Sequence, residues 1–237
     1  MKKCMALAAV LLVLAALFLR MVWSGKIQMN NPPEEKYPVR GVDVSHYQGE
    51  IDFSALEQQG MRFAFIKATE GSSHVDRMLE KNLEAVQESG MRFGFYHFFS
   101  FDSPGETQAE NYIANVPVLD GMLPPVIDVE FYGDYSFLKA PESRAVTEQL
   151  RIMADALEQH YGRKPIIYCT MSAWHSYIRD AFADYDLWIR NVYWESELDW
   201  TFWQYTDKAQ LEGYNGEETC IDVNVFCGTE AEFLNYK

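Results

Sequence analysis

The segment Pro125-Val126-Ile127-Asp128-Val129-Glu130 decides the fold of this chain. Its apolar run is typical of a strand covered on both faces, as in a parallel sheet. The run ends in two carboxylates separated by one valine. Because side chains alternate across a strand, Asp128 and Glu130 lie on the same face. The segment therefore predicts a buried parallel strand with a pair of acidic side chains at its C-terminal end.

Similar apolar segments recur along the chain and alternate with helical patterns. The predicted strands are 39–44, 62–68, 92–99, 125–129, 165–169, 187–191, 202–205 and 221–226. Helices are predicted to start at 52–57 and to span 76–89, 104–116 and 143–161. The sequence Gly-Met-Arg-Phe at 60–63 also recurs at 90–93, a shift of 30 residues that matches one strand–helix unit. This alternation indicates an α/β fold with a parallel sheet covered by helices.

Polar residues at the strand ends favour a closed barrel over an open sheet. Three pairs have the spacing i, i+2 with a valine between them, namely Asp43/Ser45, Asp128/Glu130 and Asp222/Asn224. Function collects at the C-terminal ends of the strands in a parallel barrel. Eight strands in about 200 residues thus predict a compact, irregular (β/α) TIM-like barrel with these pairs pointing into its mouth.

Several carboxylates in one cavity are difficult to explain by stability, because burial of an unpaired charge costs several kcal/mol. They repel one another, so their pKa values separate and one carboxyl can stay protonated near neutral pH. An acid and a base in one pocket is the requirement of glycoside hydrolysis. His97 lies in an aromatic strand, where a core position and a substrate contact are equally compatible with the sequence.

Composition and motif searches exclude other classes of function. The chain has 237 residues, with 20 Lys and Arg against 35 Asp and Glu, a net charge of −15 that argues against nucleic acid as a partner. Its five histidines show no metal-ligand spacing, and no glycine-rich phosphate or dinucleotide motif occurs. We therefore expect neither a metal nor a cofactor.

The N-terminus predicts export. Lys2 and Lys3 precede an apolar run at 4–19 that resumes after Arg20. Residues 1–23 are predicted to be a signal-anchor or a signal peptide, with the uncleaved anchor favoured because about 20 residues span a bilayer. Residues 24–37 read as a tether, and 38–237 as the exported domain, with a formal charge of −18. The domain would lie outside the cell membrane, anchored through residues 4–23, or be secreted to the wall.

Eight stretches resemble the family 25 glycoside hydrolases, the barrel-type N-acetylmuramidases, and occur in the family order. They are 41–48, 65–71, 95–98, 126–130, 165–168, 187–189, 203–205 and 221–224. The resemblance implies an irregular barrel of eight strands and five helices. It also implies metal-free cleavage of the β-1,4 bond between N-acetylmuramic acid and N-acetylglucosamine in peptidoglycan. We further expect the chain to act as a monomer.

The family pattern also implies roles for individual residues. Glu130 would be the general acid, Asp128 would hold the substrate N-acetyl group, and Asp43 and Asp222 would orient water or tune Glu130. The expected substrate-binding residues are Tyr96, His97, Tyr168, Gln204 and Glu70.

Two alternatives belong to other classes. The first is a non-catalytic, membrane-tethered barrel that binds glycan strands. The second is a peptidoglycan N-deacetylase, which requires the metal-ligand histidines that this sequence lacks. Because the domain is acidic and no wall-binding repeats follow it, we expect targeting by the anchor or the barrel, and action on the cell's own wall.

Overall fold

The fold is an eight-stranded closed barrel, seen in a computed structural model that describes residues 2–28 and 30–237. The strands are β1 Arg40–Val44, β2 Met61–Glu70, β3 His74–Val75, β4 Arg92–Phe98, β5 Val126–Val129, β6 Ile166–Thr170, β7 Leu187–Arg190, β8 Phe202–Ala209 and β9 Ile221–Phe226. The sheet order is β1-β9-β8-β7-β6-β5-β4-β2, and β1 pairs with β2 to close it. The short β3 extends β2 outside the barrel. The predicted (β/α) barrel and its eight strands are confirmed.

The expectation of an all-parallel barrel is wrong at its last strand. β9 runs antiparallel to both β1 and β8, with Asp43 opposite Asp222. Residues 210–220 do not return to the bottom of the barrel; the Asn215 and Gly216 amides donate to the Gln48 carbonyl oxygen at the mouth. Asp222 therefore lies near the beginning of its strand, at the same end of the barrel as the C-termini of the parallel strands.

The helices are α1 Lys2–Trp23, α2 Phe53–Gln58, α3 Leu79–Gln87, α4 Gly105–Asn115, α5 Ser143–Tyr161, α6 Met171–Ala173 and α7 Glu230–Asn235. A π-helical turn, Trp174–Ile178, continues α6. α5 has the predicted bounds and ends at Gly162 with φ 73°. α3 begins later than predicted because the Asp76 carboxylate accepts from the His46 and Met78 amides outside the helix. Among the described residues, five helices of at least six residues surround the barrel, α1 aside.

Alternation along the strands divides the core into two layers. The valines between the polar pairs, such as Val44 and Val129, pack outward against the helices. The lower barrel interior is filled by aromatic side chains, and Phe65 stacks on Trp188 with ring centroids 4.5 Å apart. Phe233 of α7 packs against this interior cluster. The polar mouth thus rests on a rigid aromatic floor.

α1 contains an 18-residue apolar window, Met5–Val22, with mean hydropathy 2.6, which is long enough to cross a membrane. A signal sequence has the same properties. The predicted tether does not run free over its whole length, since Tyr37 is 5% exposed and its hydroxyl donates to Glu195 at 2.5 Å.

Candidate active site

The barrel mouth holds a pocket of about 240 Å³. Its walls come from the ends of the strands, from the loop after β1 and from the loop between β8 and β9. The lining residues include Asp43, Ser45, Lys67, Tyr96, Phe98, Asp128, Glu130, Tyr168, Trp188, Gln204, Glu218 and Asp222. The four carboxylates predicted from the strand-end spacing are therefore brought together in one cavity.

Asp43 and Asp222 form the first half of the acidic cluster. Gln204 Nε2 donates to Asp43 Oδ2 at 2.9 Å and to Asp222 Oδ2 at 3.0 Å, and Asn224 Nδ2 donates to Asp43 Oδ2 at 2.7 Å. Burial raises the pKa of Asp43, while the hydrogen bonds from Asn224 and Gln204 lower it. Burial raises the pKa of Asp222 well above its usual range, and the Asp43 charge adds to the effect.

Both amides are held in orientation by aromatic side chains. The Tyr168 hydroxyl donates to Gln204 Oε1 at 3.0 Å, and Trp188 Nε1 donates to Asn224 Oδ1 at 2.8 Å. Since each amide oxygen is already used as an acceptor, its NH₂ group must face the carboxylates. The donors that support Asp43 are thus fixed before any ligand arrives.

Asp128 and Glu130 form the second half of the cluster. Asp128 is 6% exposed, and its Oδ1 is buried with no hydrogen-bond partner in the described part of the chain. Burial raises the pKa of Asp128 well above its usual range, and Glu130 raises it further. Burial also raises the pKa of Glu130, while Arg190 lowers it. Both carboxyls therefore retain a proton at a higher pH than a solvated carboxyl does.

Two cations balance part of the negative charge. Lys67 Nζ lies 2.7 Å from Glu70 Oε2, and Arg190 Nη2 lies 2.8 Å from Asp207 Oδ2. Lys67 lowers the pKa of both Asp128 and Glu130. The balance of burial against these two cations therefore influences the protonation of the cluster.

The predicted substrate contacts divide into two groups. Tyr96, Tyr168 and Gln204 line the pocket. Burial raises the pKa of both phenols well above their usual range, so they remain neutral donors. Glu70 lies just outside at the end of β2, and its carboxylate accepts from Lys67.

His97 corrects the sequence prediction, because it does not face the pocket. The side chain is 0% exposed, with Nδ1 2.7 Å from Thr69 Oγ1 and Nε2 3.1 Å from Gln108 Oε1. Burial lowers its pKa to about 4, so the ring is neutral. Tyr96 and Phe98 occupy the inward face of β4, and the residue between them packs against α4 instead.

Sequence reasoning missed Lys67, Trp188, Arg190 and Glu218. Lys67 lies two residues after the inward Phe65, and Arg190 two residues after the inward Trp188. The same period-two rule that found the carboxylates would have found both. Glu218 is different, because it reaches the pocket from the loop between β8 and β9 and accepts from Gln48 Nε2 at 2.9 Å. No strand periodicity predicts it.

Among the side chains that the structure describes, no group of three or more His, Cys, Asp or Glu has a geometry that would hold a metal ion. The arrangement offers carboxyls whose pKa values are raised, a buried carboxyl oxygen of Asp128 with no partner among the described residues, and neutral phenols. Such a set can exchange protons with a bound polar ligand and orient it.

Comparison with known proteins gives consistent matches. The family model for "Glycosyl hydrolases family 25" matches residues 42–214. The structure of a family 25 glycosyl hydrolase from Bacillus anthracis superposes with a TM-score of 0.81 at 52% identity, covering 86% of this chain and 96% of that one. The uncharacterized protein YegX of Escherichia coli O157:H7 is 36% identical over 205 residues, 83% of this chain and 72% of YegX. Lysozyme M1 of Streptomyces globisporus is 29% identical over 221 residues, 85% of this chain and 72% of the lysozyme.

Proposed function

The chain belongs to glycosyl hydrolase family 25, and we propose that it is a muramidase that cleaves the β-1,4 bond between N-acetylmuramic acid and N-acetylglucosamine in peptidoglycan. The observation that carries this proposal is the placement of Asp43, Asp128, Glu130 and Asp222 in one pocket on an aromatic floor. Lysozyme M1, which is similar to 85% of this chain, supports the same substrate class.

Glu130 is proposed as the general acid. Its raised pKa keeps the carboxyl protonated where an ordinary glutamate would be ionised, so it can donate a proton to the glycosidic oxygen as the bond to the muramic acid C1 breaks. After departure of the leaving sugar, the same group accepts a proton from the incoming water. The supporting observation is that Glu130 lies at the end of β5, with its side chain at the pocket mouth.

Asp128 is proposed to hold the substrate's N-acetyl group. Its Oδ1 is buried and has no partner among the described residues, so an amide N–H from the substrate would satisfy it. That contact would turn the acetamido oxygen toward C1, where it can displace the leaving group before water attacks. A hydrogen bond to the charged form would also lower the raised pKa of Asp128 when substrate binds.

Asp43 and Asp222 are proposed to orient the water and to hold a shared negative charge opposite the developing oxocarbenium ion. Gln204 donates to both of them, which fixes their separation. Tyr96 and Tyr168 are proposed to donate hydrogen bonds to the sugar, since their neutral hydroxyls line the same pocket.

The test is digestion of purified peptidoglycan by the folded chain and by Glu130→Gln. We expect mass spectrometry to find muramic acid at the new reducing ends for the wild type. Loss of the general acid should lower the rate by about 10²–10⁴-fold. Glu88→Gln is the matched control, because Glu88 is exposed at the C-terminal end of α3, which is the end of the barrel opposite to the mouth, and it should retain wild-type activity.

Three outcomes would contradict the proposal. Full activity of Glu130→Gln would remove Glu130 from the chemistry. Binding of glycan strands without turnover by the wild type, unaffected by Glu130→Gln, would instead support the non-catalytic barrel. Turnover that released acetate and was lost on chelation would support a deacetylase.

We further propose that the uncleaved α1 anchors the domain outside the cell membrane. The apolar window Met5–Val22 has the length for one crossing, and Lys2 and Lys3 precede it. A single-pass anchor and an acidic domain fit action on wall close to the cell that makes the enzyme.

A further inference from the structure

We propose that the loop between β7 and β8, residues 191–201, contacts the outer surface of the membrane through Tyr193 and Trp194. These side chains are 58% and 66% exposed, with ring centroids 5.9 Å apart. The proposal rests on the membrane anchorage proposed above. It adds a second contact between the domain and the lipid.

The first step is the short distance between anchor and loop. Tyr37 packs against Trp200 with ring centroids 5.4 Å apart, and its hydroxyl donates to Glu195. Arg40 Nη2 donates to the Pro32 carbonyl oxygen at 2.5 Å, which fixes the chain from Pro32 onward to the barrel. Only residues 24–31 remain between that point and the end of α1. At 3.3–3.6 Å per residue they span at most about 30 Å.

Further contacts shorten this distance. Asn30 Nδ2 lies 3.4 Å from the Asn191 carbonyl oxygen at the start of the loop. Tyr193 also lines a groove with Leu19, Arg20 and Val22 of the last turns of α1. The loop therefore lies where the chain leaves the bilayer.

The second step is the rigidity of the loop. Asn191 is 7% exposed, and its Oδ1 accepts from the backbone amides of Tyr193 and Trp194 at 3.3 and 3.4 Å. Trp203 Nε1 donates to the Asn191 carbonyl oxygen at 2.9 Å. These bonds display the two aromatic rings on an ordered loop anchored to the barrel wall.

The third step is the chemistry of the exposed pair. Tyr and Trp are enriched at membrane–water interfaces, where an apolar ring and a polar tip meet their preferred surroundings together. The nearby Glu195 carboxylate is paired with Lys36 Nζ at 2.8 Å, which reduces its repulsion from anionic headgroups. The lipid interface is thus the partner that fits this surface.

The contact would also orient the active site. Arg190, directly before the loop, and Asp207 at the end of β8 lie on the pocket side of the mouth. A loop resting on the bilayer would hold this rim close to the membrane. Glycan strands nearest the membrane would then be the ones presented to Glu130.

The experiment uses the full chain in phospholipid vesicles that contain lipids brominated near the headgroup. Trp23→Phe removes the tryptophan of the anchor and serves as the background. We expect brominated lipid to roughly halve the emission component that Trp194→Phe removes, because an interfacial ring lies within contact of the bromines. Trp23→Phe with Trp174→Phe is the matched control and should leave the quenching unchanged, since Trp174 lies after β6 on another side of the mouth.

The other outcomes contradict one or both of the membrane proposals. A chain that does not float with the vesicles contradicts both the anchorage by α1 and the membrane contact of Tyr193 and Trp194. If the chain floats with the vesicles but Trp194 is not quenched, the membrane contact of the loop is wrong and the anchorage stands. The same holds if the emission of Trp194 responds to N-acetylglucosamine oligosaccharides instead of lipid. Activity of the Trp194→Phe variant on soluble peptidoglycan fragments should equal that of the background, which separates this proposal from the muramidase assignment.

Discussion

Asn224 donates through Nδ2 to Asp43 Oδ2 at 2.7 Å, across the antiparallel pair of β1 and β9. The bond joins the first strand of the barrel to the last, 181 residues apart in sequence. Closure of the barrel therefore creates the environment of Asp43. An amide on β9 stabilises the charge of a carboxylate that burial would otherwise keep protonated.

Asn224→Leu should raise the pKa of Asp43, because it removes the strongest hydrogen bond that lowers it. We expect the acidic limb of the pH–rate profile to move to higher pH and activity near pH 5 to fall about tenfold or more, since a hydrogen bond to a charged group contributes about 1.5–3 kcal/mol. Steady-state rates measured from pH 3 to 8, a range that includes ordinary carboxyl pKa values, check this. Asn235→Leu is the control, because Asn235 is exposed on α7. If the acidic limb of Asn224→Leu does not move, the ionisation that governs activity is not that of Asp43.

Arg190→Gln should move the alkaline limb of the same profile to higher pH. Arg190 lowers the pKa of Glu130, so its loss leaves the acid protonated over a wider range. Arg190→Lys retains a cation and should restore most of the shift. Arg179→Gln removes an exposed arginine that pairs with its neighbour Asp180, and should leave the profile unchanged. A limb that stays in place in Arg190→Gln would mean that Glu130 does not set it.

Asp128→Asn should stabilise the fold at neutral pH while abolishing activity. The folded-state pKa of Asp128 lies above its unfolded value, so its contribution to stability is complete below the unfolded pKa and is lost as pH rises toward the folded one. The amide lacks this ionisation. For a domain of this size, each 1 kcal/mol gained raises Tm by about 2–4 °C. Thermal melts at pH 4 and pH 8 check this pH dependence. We expect the Tm of Asp128→Asn to exceed that of the wild type by more at pH 8 than at pH 4, and the reverse order would contradict the prediction.

His97→Phe should lower stability and leave KM unchanged in the protein that folds. The substitution deprives the Thr69 hydroxyl of its buried imidazole partner, at a cost of roughly 1–3 kcal/mol, whereas Gln108 Oε1 still accepts from the Ser100 amide. His160→Phe, exposed at the end of α5, is the control for loss of an imidazole. An increase in KM without a loss of Tm would instead indicate that His97 contacts the substrate.

The contribution of His97 to stability should depend on pH. Its pKa is lowered from 6.5 to about 4, so its contribution is complete above pH 6.5 and is lost as pH falls toward 4. The difference corresponds to on the order of 3 kcal/mol. The gap in unfolding free energy between wild type and His97→Phe should therefore narrow below pH 6.5, as chemical denaturation at several pH values would measure.

Much of the barrel could be predicted because its signals are local. Apolar strands, the capping residue Asp52 and the terminal Gly162 depend on a few neighbouring residues, so the predicted strands and α5 agree with the structure. The inward direction of Asp43, Asp128 and Asp222 follows from strand period two. His97 was predicted as a substrate contact, but it lies on the outward face of β4, because Tyr96 and Phe98 on either side of it occupy the inward face.

The sequence by itself determined which side chains share a strand face, since that depends only on alternation along an extended backbone. It placed four acidic residues at the strand ends, and their spacing, more than the net charge of −15, indicated the site. Only the tertiary structure decided that β9 runs antiparallel, that Glu218 reaches the pocket and that Tyr37 is attached to the barrel beside Trp200. Each of these depends on contacts between residues more than 150 positions apart, which local periodicity does not encode.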